Sequence, residues 1–187
     1  MLNNFFDKFI FTSTLKYTQN NFYLIDIPFF IAPTETLTSL CEVQDIEFHK
    51  KIYESVKKNT SENLMKEFGA KIGNDKKKQI DFLNNFFTAS GWGKIQIIDL
   101  QLEGKKAIIV LDNSPFASKL RGKTQLPADV FLRGTLAGIF SKIFEDNIDC
   151  VESECVALNN ERCKFIIKPK IEFDFTHKIV MDQLSQE

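Results

Sequence analysis

Residues 150–165 read CVESECVALNNERCKF and carry Cys150, Cys155 and Cys163, three of the four cysteines of the chain; the fourth is Cys41. β-Favouring residues flank Asn159–Asn160, a pair that tolerates the left-handed backbone of a tight turn, so the stretch predicts two antiparallel strands. A two-residue turn at Asn159–Asn160 would pair Val156 with Cys163 and send Cys155 to the other face. A three-residue loop, Leu158–Asn159–Asn160, sets Cys155 against Cys163, with Cβ atoms ~5 Å apart. Two thiolates so placed can share one zinc at Zn–S distances near ~2.3 Å. The same pair can also simply pack, or close a disulfide. Glu152, three residues before Cys155, faces away on a regular strand and needs a bulge to join it. A fourth donor must come from elsewhere. Asp129, near the start of the preceding helix, offers a carboxylate, and Cys150 offers a thiolate.

Outward from this hairpin, the period alternates between strand and helix. LPADVFLRGTLAGIFSKIF, residues 126–144, is a long apolar helix with Gly134 and Gly138 one turn apart on one face, where another backbone or a ligand can approach. KIQIIDLQLEGKKAIIVLDNS, residues 94–114, is two strands around a Glu103–Gly104 turn. NDKKKQIDFLNNFFTASGWG, residues 74–93, is an amphipathic helix with Ile80, Leu83, Phe86 and Phe87 at helical spacing and a solvated lysine run, 76–78, in its first turn. Upstream, Pro33–Thr34 marks a helix entry. A helical pattern runs through Ile46, Tyr53, Val56, Leu64, Met65 and Phe68, broken at KKNTSEN, where Thr60 or Ser61 can cap a new helix. Gly69 and Gly73 end that helix or allow close packing. The N-terminal stretches KFIFTSTLKY and NFYLIDIPFF predict a hairpin. At the far end, IEFDF can add an edge strand before a mobile terminus. The expected fold class is therefore α+β, an antiparallel sheet packed against helices. Three segments are expected: 1–59, a hairpin and helices packed on the main domain; 60–170, the main domain; and 171–187, an extension.

Composition narrows the function. Lys plus Arg (24) nearly cancel Asp plus Glu (25), which argues against a nucleic-acid binder that relies on a general basic field. Phenylalanine is abundant, at 19 residues, and predicts a bulky aromatic interior. No secretory leader and no apolar run of membrane-spanning length is visible, so a cytoplasmic location is expected, where clustered cysteines point to metal or reactivity before disulfides. His49 reads as a helix-surface residue, and neither it nor His177 reads as catalytic.

Glu152, Cys155 and Cys163 in ExxC…C spacing, followed by a Lys–Phe and a short strand, together resemble the 4-vinyl reductase domain family. The glycine-bearing FLRGTLAGIF helix and the preceding strand pair are also similar to it. The resemblance covers roughly residues 60 to 168. It implies a ligand-binding fold shared with NO-signalling and Golgi-transport proteins, including phenol-responsive sensor domains and TRAPP transport subunits. In the sensors a zinc is held by a cysteine at the glycine helix and by a glutamate and two cysteines in the hairpin. Glu152, Cys155 and Cys163 match the last three. Asp129 stands where the helix cysteine falls, so Asp129 substitutes, Cys150 moves in, or the metal is weakened or lost. Asn159 stands where the family usually has glycine. Homodimerisation is also implied.

No glycine-rich dinucleotide fingerprint follows a strand, and nothing else in the chain carries hydride chemistry. The leading expectation is a domain that binds or senses a hydrophobic or aromatic small molecule, with a structural zinc, acting through a partner or its dimer state. Phe82, Phe86, Trp92 and Phe131, with Phe87 and Phe140 beside them, are the candidate pocket lining. The alternatives are a scaffold subunit of the transport-complex type and an accessory protein to tetrapyrrole vinyl reduction.

Overall fold

The structure is a computed structural model that describes residues 15–24, 27–29, 31–66 and 75–186. Its centre is one four-stranded antiparallel sheet in the order β4–β5–β7–β6. The strands are β4 (Lys94–Gln101), β5 (Lys106–Asp112), β6 (Ile148–Glu154) and β7 (Cys163–Pro169). Before it come a small antiparallel sheet, β1 (Leu15–Thr18), β2 (Asn21–Leu24) and β3 (Ile27–Phe29), and three helices: α1 (Thr34–Cys41), α2 (Ile46–Asn59) and α3 (Lys76–Ala89). Helix α4 (Val130–Phe144) links β5 to β6, and a short helix α5 (Lys178–Met181) closes the chain. The α+β class read from the sequence is the observed one.

Register explains where the core lies. Ile97 pairs with Ile109, Ile109 with Phe165 and Phe165 with Glu152, so a carboxyl ends an otherwise apolar row. Helix α4 lies over this face, buried on nearly every side, and α2 packs on its other side. An α-helix apolar all round needs such double cover. The two glycines make it possible. A Cβ at Gly134 would sit 2.9 Å from the Tyr53 carbonyl oxygen, and one at Gly138 would sit 2.6 Å from that of Lys57. The close backbone approach expected of this face is therefore the approach of α2.

Several local expectations are corrected. The N-terminal hairpin is a three-stranded meander in its described part, turning through left-handed Gln19 and Asn20. Residues 8–14 of the first predicted strand, and Phe68, Gly69 and Gly73, lie outside the described residues. Thr60 and Ser61 cap no new helix: α2 continues through a wider π-type turn, Thr60–Leu64, and Thr60 is buried with its Cβ against the Gly138 position. IEFDF adds no strand, because Lys170–Glu172 form a single 3-10 turn. The C-terminal stretch packs rather than trailing free, with Val180, Gln183 and Leu184 buried.

Strand β6 is a sheet edge, and side chains cover it. Ser141 bonds the Ile148 amide at 3.2 Å, Tyr53 Oη accepts from the Cys150 amide at 2.9 Å, and Gln183 Oε1 accepts from the Glu152 amide at 2.8 Å. A bare edge offers unpaired backbone groups to any passing strand, and these bonds remove that hazard.

Candidate metal centre

Asp129, Glu152, Cys155 and Cys163 each present one ligand atom, and these four atoms lie within 4.8 Å of one another. All four residues are buried. Each reaches the site for a separate local reason. Asp129 is the residue before α4, in the helix-capping position, yet its side chain makes no capping bond and turns inward instead. Cys163 begins β7, on the Phe165 face of the strand. Cys155 follows β6 and stands beside Cys163. Glu152 pairs with Phe165 and Glu154 with Lys164, so Ser153 is an extra residue in β6. That bulge swings Glu152 and Cys155 onto one face. The connection between the strands differs from the predicted three-residue loop. Val156–Leu158 form a 3-10 turn, the Cys155 carbonyl accepts from the Asn160 amide at 3.1 Å, and Asn159 is left-handed with φ 70°. Cys155 and Cys163 still come together, and both are free thiols.

Every donor residue is held by a second group. Ser114 Oγ donates to Asp129 Oδ1 at 2.5 Å. The Asp129 amide donates to Glu152 Oε2 at 3.1 Å. The Ala128 amide points at Cys155 Sγ and the Val156 amide at Cys163 Sγ, both at 3.4 Å. The remaining oxygens, Asp129 Oδ2 and Glu152 Oε1, are fully buried without a hydrogen-bond partner. A buried carboxylate oxygen without a partner costs on the order of 1–3 kcal/mol or more, so two of them beside two thiols ask for a cation. Tetrahedral coordination at ~2.0–2.3 Å places donors roughly 3.3–3.8 Å apart, within a small contraction of the observed cluster. The group can hold a metal.

The electrostatics agree. Burial, then the Asp129 charge, push the Glu152 carboxyl well above its ordinary range. Burial also raises Asp129, against the opposing pull of Ser114. Contact with the Cys163 thiol holds Cys155 down to about 7, while Cys163 is pushed up by that same contact, by burial and by the two carboxylates. Metal-free, the four groups must keep protons between them. A divalent ion removes the need.

The family model of the 4-vinyl reductase domain matches residues 108–169, which span β5, α4 and the whole hairpin. Uncharacterized protein MJ1460 of Methanocaldococcus jannaschii is 30% identical over 124 residues, covering 63% of this chain and 72% of that one. The chain belongs to the 4-vinyl reductase domain family. Two solved structures share the fold of this family member. The phenol-responsive sensory domain of the transcription activator PoxR, solved with phenol, superposes with TM-score 0.70 at 14% identity, covering 98% of this chain and 97% of that one. Trafficking protein particle complex subunit 3 from Naegleria fowleri, covalently bound to palmitic acid, gives TM-score 0.53 at 15% identity over 73% of this chain and 92% of that one. At these identities the likeness is one of fold.

In this member of the 4-vinyl reductase domain family the structure brings Asp129, and not Cys150, into the four-residue group. Cys150 is on β6 two residues before Glu152, on the same face, fully buried opposite Ile167. Burial raises its thiol and keeps it neutral. The candidate pocket rings form a row in mutual contact. Phe82 stacks on Phe86, Phe86 meets Phe87 edge-on, Phe87 meets Trp92, Trp92 meets Phe116, and Phe116 meets Phe131, at centroid spacings of 5.7 to 6.1 Å. Phe140 is apart from it, against Phe144. His49 is not on the surface: it is 3% exposed, and burial, with Arg133 nearby, lowers its pKa. His177 is exposed beside Asp174.

Sequence reading missed Ser114, Cys41 and Arg133. Ser114 had a local signal, since its Oγ also accepts from the Phe116 and Ala117 amides as a turn-starting serine does. Cys41 is buried within electrostatic reach of Asp129, Glu152 and Cys155, and its thiol is pushed up to about 12, chiefly by burial. Arg133, 1% exposed, lies over the Tyr53 ring and draws the Asp129 and Glu152 carboxyls downward. Among the described residues no carboxylate comes within ion-pair distance of it.

Proposed function

We infer that this member of the 4-vinyl reductase domain family binds or senses a hydrophobic, aromatic small molecule on a fold cross-linked by a structural zinc. Asp129, Glu152, Cys155 and Cys163 would hold the ion. The observation that carries the reading is the pair of buried, unpartnered oxygens, Asp129 Oδ2 and Glu152 Oε1, beside two free thiols. Four protein donors fill a tetrahedral shell, so the ion would supply a cross-link between the hairpin and α4 and no open position for a reacting water. The sulfur and carboxylate set suits zinc, of borderline softness.

The row of half-buried rings, Phe82, Phe86, Trp92 and Phe131, supports an aromatic ligand. A flat molecule can replace ring-to-ring contact with ring-to-ligand contact at little cost. The PoxR sensory domain was solved with phenol, and its fold is the one found here. Ligand entering the row would shift α3 and Trp92 against Phe131 on α4, and so bias the metal-pinned junction. Output would pass through a partner or a homodimer. The ligand-binding unit would be residues 60–170, with 1–59 packed on it and 171–187 as an extension. Free thiols favour a reducing, cytoplasmic location, and among the described residues no helix is long and apolar enough to cross a membrane.

The test is native mass spectrometry, with metal analysis, on protein purified without chelator. One zinc per chain and a co-purified apolar ligand are expected. A folded protein with no metal overturns the zinc. Failure of phenol and related aromatics to shift the unfolding midpoint or the Trp92 fluorescence overturns the ligand. The filled contact between the rings favours the scaffold reading in that event.

A further inference from the structure

Gln183 comes from the last turns of the chain, yet it is 2% exposed and grips a proposed metal ligand by its backbone. Its Nε2 donates to the Glu152 carbonyl at 3.0 Å and its Oε1 accepts from the Glu152 amide at 2.8 Å. One side-chain amide thus does for Glu152 what a neighbouring strand would do, at a single residue. The next residue, Ser153, is the bulge. A bulge leaves the ladder locally broken, and here the break decides whether Glu152 shares a face with Cys155. Arg133 completes the clamp. Its Nη1 donates to the Gln183 carbonyl at 3.2 Å and to the Cys150 carbonyl at 3.4 Å, one turn of α4 beyond Asp129. Val180 and Leu184, both buried, seat the segment.

We propose that Gln183 is a positioning residue of the metal centre, so that the C-terminal segment is part of the site although it supplies no ligand. Covering a sheet edge would not require a bidentate amide at the residue that carries the carboxylate. Because the segment docks on the β6 backbone that metal binding fixes, docking and metal binding are linked, and each strengthens the other by the same factor. The inference rests on the metal reading above.

The test uses the full chain and Co²⁺, whose thiolate charge-transfer band reports the site. Wild type binds with that band. Gln183→Met, close in volume but unable to bond, is expected to bind Co²⁺ at least tenfold more weakly with an altered band. Ile139→Val, a core change in α4 away from the donors, should bind like wild type. In the wild-type chain, Co²⁺ should slow tryptic release of residues 179–187, cut after the exposed Lys178, several-fold relative to chelator-treated protein. This second measurement stands if the Met variant fails to fold. Equal Co²⁺ affinity in wild type and Gln183→Met, or tail cleavage indifferent to Co²⁺, overturns the role of Gln183 alone. Absence of the band in wild type overturns the metal reading and this inference with it.

Discussion

Ser114 Oγ and Asp129 Oδ1 are 2.5 Å apart in the buried interior, and this one bond decides which oxygen of Asp129 is left to face the two thiols. Partners that orient a ligand typically matter 10–100-fold in metal affinity. Ser114→Ala should therefore weaken Co²⁺ or Zn²⁺ binding by about that factor while leaving the band of both thiolates in place. Competition titration against a chromophoric chelator measures it.

Asp129 gives the site two oxygens and two sulfurs. Asp129→Cys should raise affinity for soft Cd²⁺ more than for Zn²⁺ and increase the Co²⁺ charge-transfer absorbance roughly one and a half times, from two thiolates to three. Unchanged absorbance would show that residue 129 does not reach the ion.

The metal-free protein should lose stability as pH rises. Glu152 is held well above its ordinary value of 4.5, and Asp129 above 3.8. A carboxyl raised in the folded state binds a proton more tightly there than in the unfolded chain. Its contribution is complete below the unfolded value and lost as pH climbs through the folded one. Metal-loaded protein should show the opposite slope from about pH 5 to 8, since binding needs the ligands deprotonated. Unfolding midpoints with and without chelator test both signs. Glu152→Gln should abolish tight metal binding and flatten the metal-free slope.

Gly138→Ala would drive a methyl to 2.6 Å from the Lys57 carbonyl oxygen and 2.6 Å from Thr60 Cβ, and backbone cannot yield as a side-chain tip can. The expected loss is about 1–3 kcal/mol or more, seen as a lower urea midpoint. Gly134→Ala should cost less, because the Val56 side chain is among its near neighbours.

Asn159 is left-handed at φ 70°. Asn159→Gly should be neutral within a few tenths of a kcal/mol, whereas Asn159→Val should cost about 1–2 kcal/mol and loosen the Cys155–Cys163 pair. Chemical denaturation checks the first clause and Co²⁺ affinity the second.

The sequence by itself determined the α+β class, the β4–β5 pair, the glycine face of α4, the left-handed turn residue and the meeting of Cys155 with Cys163. All of these are written in local period, in turn chemistry, or in residues a few positions apart. It also named Asp129 and Glu152 as donors, and named the bulge that Glu152 would need. Tertiary structure decided the rest. Whether the bulge forms depends on the register of β6 against β7, and its outer side is held by Gln183, 31 residues from Glu152 in the chain. Asp129 rather than Cys150 faces the thiols because Ser114 holds one oxygen and the Glu152 face of β6 fixes the other neighbour, while Cys150 is spent in the core opposite Ile167. His49 and Arg133 are interior because α2, brought close by two glycines, covers them, a consequence no hydropathy pattern of α2 alone contains. Periodicity reports which face of an element is apolar. Which buried polar atoms then confront each other is set by how the elements cross.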